Sequence, residues 1–169
     1  MQPLEILTLA IGIEKESLKR YLELAWQTKD TAGKDIFIRL AMDEYWHREI
    51  LEEQIQSFQE KGKVLPAQLP LSLFEKLLPK LSEKSLRIKG RERQNRLDAL
   101  LVALEAEKEA RNFYRQEAEN TALENLRPIF IRLAEMEQAH MDILQAEIDH
   151  IQQTGFWFSF PEFTLEGNP

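Results

Sequence analysis

The sequence predicts an all-α protein, a four-helix bundle built from two duplicated antiparallel helix hairpins that a long crossover connects. Helix-favouring residues dominate the 169-residue chain, which has only 6 Gly and 7 Pro. Four long stretches repeat apolar residues at helical spacing. Residues 11–55 align without a gap onto residues 104–148, with 17 identities among the 45 aligned positions, whereas unrelated sequences would share about three. The second hairpin is therefore a copy of the first.

The four predicted helices follow in order along the chain. They cover Leu4–Thr28, Ala32–Lys61, Arg91–Asn120 and Ala122–Thr154. Pro3 is tolerated in the first turn of the first helix, and Gly62 ends the second. Thr121 with Glu124 could form a capping box for the fourth helix, although Pro128 would then kink or restart it. Short links within each pair predict antiparallel hairpins.

We expect one domain over residues 1–155, followed by a separate tail. Residues 62–90 contain three prolines around LSLFEKLL, and their length suits a crossover along the bundle with one short helix. The tail, residues 156–169, carries five aromatic residues between Phe156 and Phe163. Their alternation predicts an extended segment whose apolar face packs on the bundle or on a partner subunit.

Charge and cysteine usage exclude several classes of function. The formal charge of −7 and pI near 5.1 argue against a nucleic-acid binder. The absence of cysteine excludes disulfides, thiolate catalysis and Cys-ligated metal sites within these residues. No apolar run approaches the roughly 18 residues of a membrane span, and the acidic N-terminus is unlike a signal peptide. We expect a cytoplasmic protein without nucleic-acid or membrane partners.

The identities of the repeat concentrate on one face of each helix. Since a helix turns by about 100° per residue, Phe37, Leu40, Ala41 and His47 lie on the same face as Glu44. The same set recurs as Phe130, Leu133, Ala134, His140 and Glu137. In the other two helices, Glu14 and Tyr21 recur as Glu107 and Tyr114. The repeated polar residues therefore lie on apolar, core-directed faces.

Acidic side chains on core faces require compensation. An unpaired buried charge costs on the order of several kcal/mol, and two divalent cations carry the charge that balances four carboxylates. Glu with His three residues later presents an oxygen and a nitrogen to one point, as in two-metal carboxylate bundles. Six residues are therefore predicted to bind metal: Glu14, Glu44, His47, Glu107, Glu137 and His140. Their donors suit iron, manganese or zinc.

Three further residues have open interpretations. Tyr21 and Tyr114 are either simple core tyrosines or neighbours of the metals that donate hydrogen bonds or take part in redox chemistry. Asp43 could orient a histidine, but its position next to Glu44 favours the edge of the bundle.

The segment EKEARNFY, residues 107–114, resembles the first-helix signature Glu-x-x-Ala-Arg-Asn-x-Tyr of rubrerythrins, and both Glu-x-x-His motifs fall where that family has them. Over its four helices the chain resembles the ferritin-like superfamily, and rubrerythrin-type di-iron proteins in particular. The resemblance implies that Glu14 and Glu107 are terminal ligands of two irons. It implies that Glu44 and Glu137 bridge the irons, and that His47 and His140 each bind one: these roles rest on the family alone.

Two departures separate this chain from rubrerythrins proper. Those proteins carry an extra glutamate one turn after the third-helix ligand, where this chain has Ala110, and the corresponding position on the first helix is Ser17. They also carry a four-cysteine rubredoxin domain that supplies electrons. The six-ligand set is closer to bacterioferritin-type centres, and the reductant must be a separate protein or small molecule.

The leading functional hypothesis is a di-iron oxidoreductase that reacts with hydrogen peroxide or oxygen, in oxidative stress or iron handling. One alternative is a ferroxidase subunit of an iron-storage shell. Another is a non-enzymatic bundle that binds metal structurally or serves as an interaction module. For the oxidoreductase we expect an external electron donor and a homodimer or larger homo-oligomer.

Overall fold

A computed structural model describes residues 2–66 and 91–154 of the chain. Within these residues four α-helices follow one another: α1 Pro3–Gln27, α2 Thr31–Lys61, α3 Arg91–Asn120 and α4 Arg127–Thr154. The predicted all-α class is thereby confirmed. The short crossover helix and the aromatic tail, predicted from the sequence, lie outside the described residues, and the division into a bundle and a tail stays a prediction.

Local signals in the sequence account for the ends of α1 and α2. Pro3 occupies the first turn of α1, where its missing N–H has no helical partner to lose. Asp30 caps α2, since its side chain accepts hydrogen bonds from the backbone N–H of Ala32 at 2.9 Å and of Gly33 at 3.1 Å. Gly62 ends α2 with a φ of 64°, a left-handed conformation that favours glycine.

The predicted start of α4 at Ala122 is wrong. Residues 121–126 form a turn, and α4 begins at Arg127. Thr121 does not cap α4. Its hydroxyl oxygen accepts a hydrogen bond from the Leu123 N–H at 3.3 Å within this turn, and its backbone N–H donates to the Glu117 carbonyl at 2.9 Å at the end of α3. Pro128 restarts the helix: its ring is compatible with a first turn and incompatible with a helix interior.

The helices pair as two hairpins, α1 with α2 and α3 with α4. Tyr21, late in α1, reaches Glu107, whereas Tyr114, late in α3, reaches Glu14. These crossed contacts show that α1 and α3 are antiparallel, and hence that α2 and α3 are parallel. The end of α2 and the start of α3 therefore lie at opposite ends of the bundle.

Two apolar clusters fill the described core, one at each end of the bundle. One contains Leu40, Leu100 and Leu144, and the other contains Leu7, Leu51, Phe130 and Leu133. Along each helix the chain passes from one cluster into the other, and the predicted ligands lie at the transition. Across residues 2–66 and 91–154, no helix has the length and apolarity that a membrane crossing requires.

Candidate metal centre

All six predicted metal ligands lie together at the middle of the bundle. They come one from α1, two from α2, one from α3 and two from α4: Glu14, Glu44, His47, Glu107, Glu137 and His140. Each is at most 1% exposed. The face of each helix that the repeat identified is therefore the face that points into the middle of the bundle.

The six side chains form two overlapping groups of four. The Glu14 group consists of Glu14, Glu44, His47 and Glu137, and the Glu107 group consists of Glu44, Glu107, Glu137 and His140. Within each group, one donor atom per residue lies within 4.8 Å of all the others. Since Glu44 and Glu137 belong to both groups, two cations placed in them would share these two carboxylates.

The Nδ1 atoms of the two histidines face the carboxylates. His47 Nδ1 lies 3.2 Å from Glu14 and 3.3 Å from both Glu44 and Glu137. His140 Nδ1 lies 3.2 Å from Glu44 and from Glu137, and 3.5 Å from Glu107. The two imidazole rings stack with centroids 5.5 Å apart and planes 15° apart. Nδ1 is thus the nitrogen that each ring offers to the centre.

Burial among like charges makes the cluster electrostatically expensive without a cation. Burial, and then repulsion from Glu137, raises the pKa of Glu107 to about 7. Burial and the charges of the other three glutamates raise the pKa of Glu44 well above its ordinary value. Burial lowers the pKa of both histidines, but the neighbouring carboxylates raise it by more, so the net shift is strongly upward. Protons thus partly compensate the carboxylates when no metal is bound.

Tyr21 and Tyr114 lie beside this cluster and are fully buried. The Tyr21 hydroxyl donates a hydrogen bond to Oε1 of Glu107, and the Tyr114 hydroxyl donates to Oε1 of Glu14. Burial, followed by the charge of Glu107, raises the pKa of Tyr21 well above its ordinary value, and Glu14 acts in the same way on Tyr114. Both phenols therefore stay protonated and remain donors, while their redox role stays a prediction.

The sequence interpretation placed Asp43 at the edge of the bundle, but the side chain is inside it. Asp43 is 3% exposed, and its Oδ2 lies 3.2 Å from Nε2 of His140 on the facing helix. A signal existed in the sequence, because Asp43 aligns with the apolar Met136 and so breaks the repeat beside a ligand. Spacing within α2 could not show that Asp43 reaches α4.

Comparison with known proteins agrees with this geometry. The sequence profile of the Rubrerythrin family matches residues 5–90 and 98–155. The chain belongs to the Rubrerythrin family. It is also similar to a solved structure of a hypothetical protein from Pyrococcus furiosus, with 26% identity, a TM-score of 0.66 and coverage of 89% of this chain and 90% of that one. None of the curated proteins compared matches the chain.

Membership of the Rubrerythrin family confirms the resemblance read from the motifs and suggests a di-iron carboxylate protein. The donor set fits such a metal pair. Both oxygens of Glu44, Oε2 of Glu107 and Oε1 of Glu137 are buried without a hydrogen-bond partner in the described part of the chain. Orphaned buried oxygens are costly unless a cation binds them. The cluster can therefore bind metal, whereas each side chain's role as a ligand stays a prediction.

A groove lies between α1 and α3. It has a volume of about 680 Å³, and its lining includes Gly12, Ser17, Ala106 and Ala110. Ala110 is the position of the extra glutamate described above, and Ser17 is its counterpart on α1. Each lies three residues after a glutamate of the cluster, on the same side of its helix. The lining also includes larger side chains, such as those of Arg20 and Phe113.

Proposed function

We propose that this chain is a di-iron carboxylate protein that acts as an oxidoreductase on hydrogen peroxide or oxygen. The observation that supports the proposal is the pair of buried four-donor groups that share Glu44 and Glu137. A single metal site would need no shared carboxylates. Shared carboxylates would keep two metals close together, so that both can give electrons to one oxidant.

Each ligand has a distinct part in the proposal. Glu44 and Glu137 lie between the two groups and would hold both cations at a short, constant separation. His47 and His140 would each bind one cation through Nδ1, the nitrogen that faces the carboxylates. Glu14 and Glu107 would each complete one group. Bound iron supplies the reducing electrons and an exchangeable coordination position for the oxidant.

Tyr21 and Tyr114 orient the two terminal carboxylates. Each tyrosine occupies Oε1 of its glutamate. The remaining oxygen of Glu14 lies 3.2 Å from His47 Nδ1, and the remaining oxygen of Glu107 lies 3.5 Å from His140 Nδ1. One oxygen of each carboxylate is therefore fixed by a hydrogen bond, while the other faces the histidine of the same group and would be available to a cation.

The α1–α3 groove offers the route by which a small oxidant would enter. Its lining includes Ser17 and Ala110, which lie three residues after Glu14 and Glu107, and at Gly12, Ser17 and Ala110 the side chains are small. The rest of the centre is enclosed by the two apolar clusters, which exclude bulk water and larger substrates. Reduction of one peroxide to two waters consumes two electrons and two protons. We expect these electrons to come from an external donor.

Rapid mixing tests the proposal. Protein loaded anaerobically with two equivalents of Fe(II) should react with peroxide or oxygen faster than free Fe(II) does at the same pH, with absorbance changes that saturate at two irons per chain. The matched control is the double variant Glu44→Ala/Glu137→Ala, which should bind neither iron. A loaded wild-type protein that reacts no faster than free iron, or tight redox-silent zinc in protein purified from its native source, would contradict the oxidoreductase.

A further inference from the structure

The two histidines of the centre differ in what contacts their outward nitrogen. His140 Nε2 lies 3.2 Å from Oδ2 of Asp43, and this ion pair is buried, with side-chain exposures of 0% and 4%. His47 Nε2 is equally buried but has no hydrogen-bond partner within residues 2–66 and 91–154. The inward Nδ1 atoms, by contrast, have matching surroundings.

The internal repeat departs from symmetry at the position of Asp43. Asp43 precedes Glu44, and its counterpart before Glu137 is Met136. Met136 is buried, with 1% exposure, so the position lies in the interior in both halves. A thioether carries no charge and accepts only weak hydrogen bonds. The six ligands and both tyrosines are identical between the halves, and this neighbour is not.

A carboxylate at the outward nitrogen changes how well a histidine binds metal. Binding through Nδ1 requires the ring proton on Nε2. For His140, Asp43 accepts that proton in a hydrogen bond, which stabilises the required tautomer, fixes the ring orientation and makes Nδ1 a stronger donor. For His47, the same tautomer leaves a buried N–H without an acceptor, which is unfavourable. The Asp43 carboxylate also places an additional negative charge beside the Glu107 group.

We propose that Asp43 makes the two metal positions unequal, so that the Glu107 group binds a divalent cation more tightly than the Glu14 group and is occupied first. This inference rests on the metal centre of the proposed function and adds an order of filling to it. Asp43 acts as a positioning residue, since it reaches the metal only through His140. Neighbouring carboxylates of this kind typically change metal affinity about 10- to 100-fold.

Calorimetric titration of metal-free protein with Co(II) tests the inequality without any turnover. Wild-type protein should bind two ions in two steps that differ about 10- to 100-fold in affinity. Glu107→Gln should remove the tighter step and Glu14→Gln the weaker one, which assigns each step to its group. Asp43→Asn keeps the shape but removes the charge, and it should weaken the tighter step about tenfold or more.

A second variant introduces the carboxylate at the corresponding position of the other half of the repeat. Met136→Asp supplies the Glu14 group with the missing carboxylate and should tighten the weaker step, so that the two steps converge, whereas Met136→Leu should change neither. If the Asp43→Asn protein does not melt cooperatively, and is therefore not folded, the Met136→Asp titration tests the proposal in its place. Two equal steps in the wild type, or no response of the tighter step to Asp43→Asn, would overturn the inequality and leave the centre intact. Failure of wild-type protein to bind Co(II) would instead overturn the centre itself.

Discussion

The hydroxyl of Tyr114 on α3 donates a hydrogen bond to Glu14 on α1, and the Tyr114 ring stacks on Phe130 with centroids 6.1 Å apart. The other half repeats the arrangement, with Tyr21 bonded to Glu107 and stacked on Phe37 at 6.3 Å. Each hairpin thus donates a hydrogen bond to a buried glutamate of the other hairpin. Each half of the centre therefore contains a tyrosine from one hairpin and a glutamate from the other. This mutual dependence accounts for the presence of both tyrosines, together with the predicted ligands, in the two copies of the repeat.

Removal of one tyrosine hydroxyl should weaken one metal position selectively. Tyr114→Phe keeps the stacked ring but frees Glu14, and a hydrogen bond to a charged group is worth about 1.5–3 kcal/mol. We therefore expect the affinity of the Glu14 group for Co(II) to fall about tenfold or more, while Tyr21→Phe has this effect on the Glu107 group. Titration calorimetry measures both steps. Tyr45→Phe, on the partly exposed ring beside Trp46, is the control and should change neither.

Replacement of a shared carboxyl group by an amide should stabilise the metal-free protein at high pH and abolish its stabilisation by metal. Glu44→Gln preserves shape and removes an acid whose ionisation is disfavoured by burial and by the other three glutamates, so above the raised pKa of Glu44 the Tm without metal should rise by about 2–4 °C for each kcal/mol of repulsion removed. Added Co(II) should then raise the Tm much less than in the wild type. Scanning calorimetry with and without metal measures both effects. Glu16→Gln, on an exposed residue of α1, should leave both melting temperatures unchanged; a Glu44→Gln protein that melts lower without metal would contradict the electrostatic account.

The stability of the metal-free protein should fall as the pH rises from about 5 to 8. The pKa of Glu107 is raised to about 7 by burial and by Glu137, and the pKa values of Glu44, His47 and His140 are also raised. A group whose pKa is higher in the folded state contributes stability below its unfolded pKa and loses it as the pH rises through the folded value. Metal binding displaces these protons, so the stabilisation by metal should grow over the same range.

Urea unfolding at a series of pH values measures this dependence. The Glu107→Gln variant should show a shallower decline, since one of the titrating groups is gone. A metal-free wild-type protein whose free energy of unfolding rises between pH 5 and 8 would show that the cluster does not retain its protons in the folded state.

Two substitutions at Gly12 should separate helix stability from access to the groove. Gly12 lies inside α1 and lines the groove, and a Cβ added there meets no atom within 4 Å. Gly12→Ala should stabilise the protein by about 0.5–1 kcal/mol, because alanine loses less conformational entropy in a helix. Gly12→Phe should narrow the groove and slow the reaction of the Fe(II)-loaded protein with peroxide.

Both Gly12 variants should still bind two metal ions, and Gly12→Ala should react at the wild-type rate. Stopped-flow rates, compared with the metal stoichiometry of the same samples, make the distinction. Equal peroxide rates for Gly12→Phe and the wild type would show that the oxidant enters elsewhere.

The amino-acid sequence alone determined the face of each helix that carries the predicted metal ligands. Glu44 and His47 share a face because the α-helix turns by a constant angle per residue, and the in-register copy at Glu137 and His140 identified that face as functional. The four-helix architecture and the convergence of the six predicted ligands followed from this periodicity. The end of α2 at Gly62 was also predictable, since glycine tolerates the left-handed conformation.

Only the tertiary structure decided what meets across helices. Asp43 lies off the ligand face of α2, so whether its carboxylate reaches His140 depends on the rotation and spacing of α2 against α4. The crossed tyrosine contacts depend in the same way on the packing of α1 against α3. The start of α4 depended on whether the Thr121 hydroxyl accepted a hydrogen bond within a helix or within a turn. It does so within a turn, and α4 begins at Arg127, directly before Pro128. The periodicity of a helix gives the direction of each side chain around the axis of that helix. Which side chains meet between two helices depends on how the helices pack in the core.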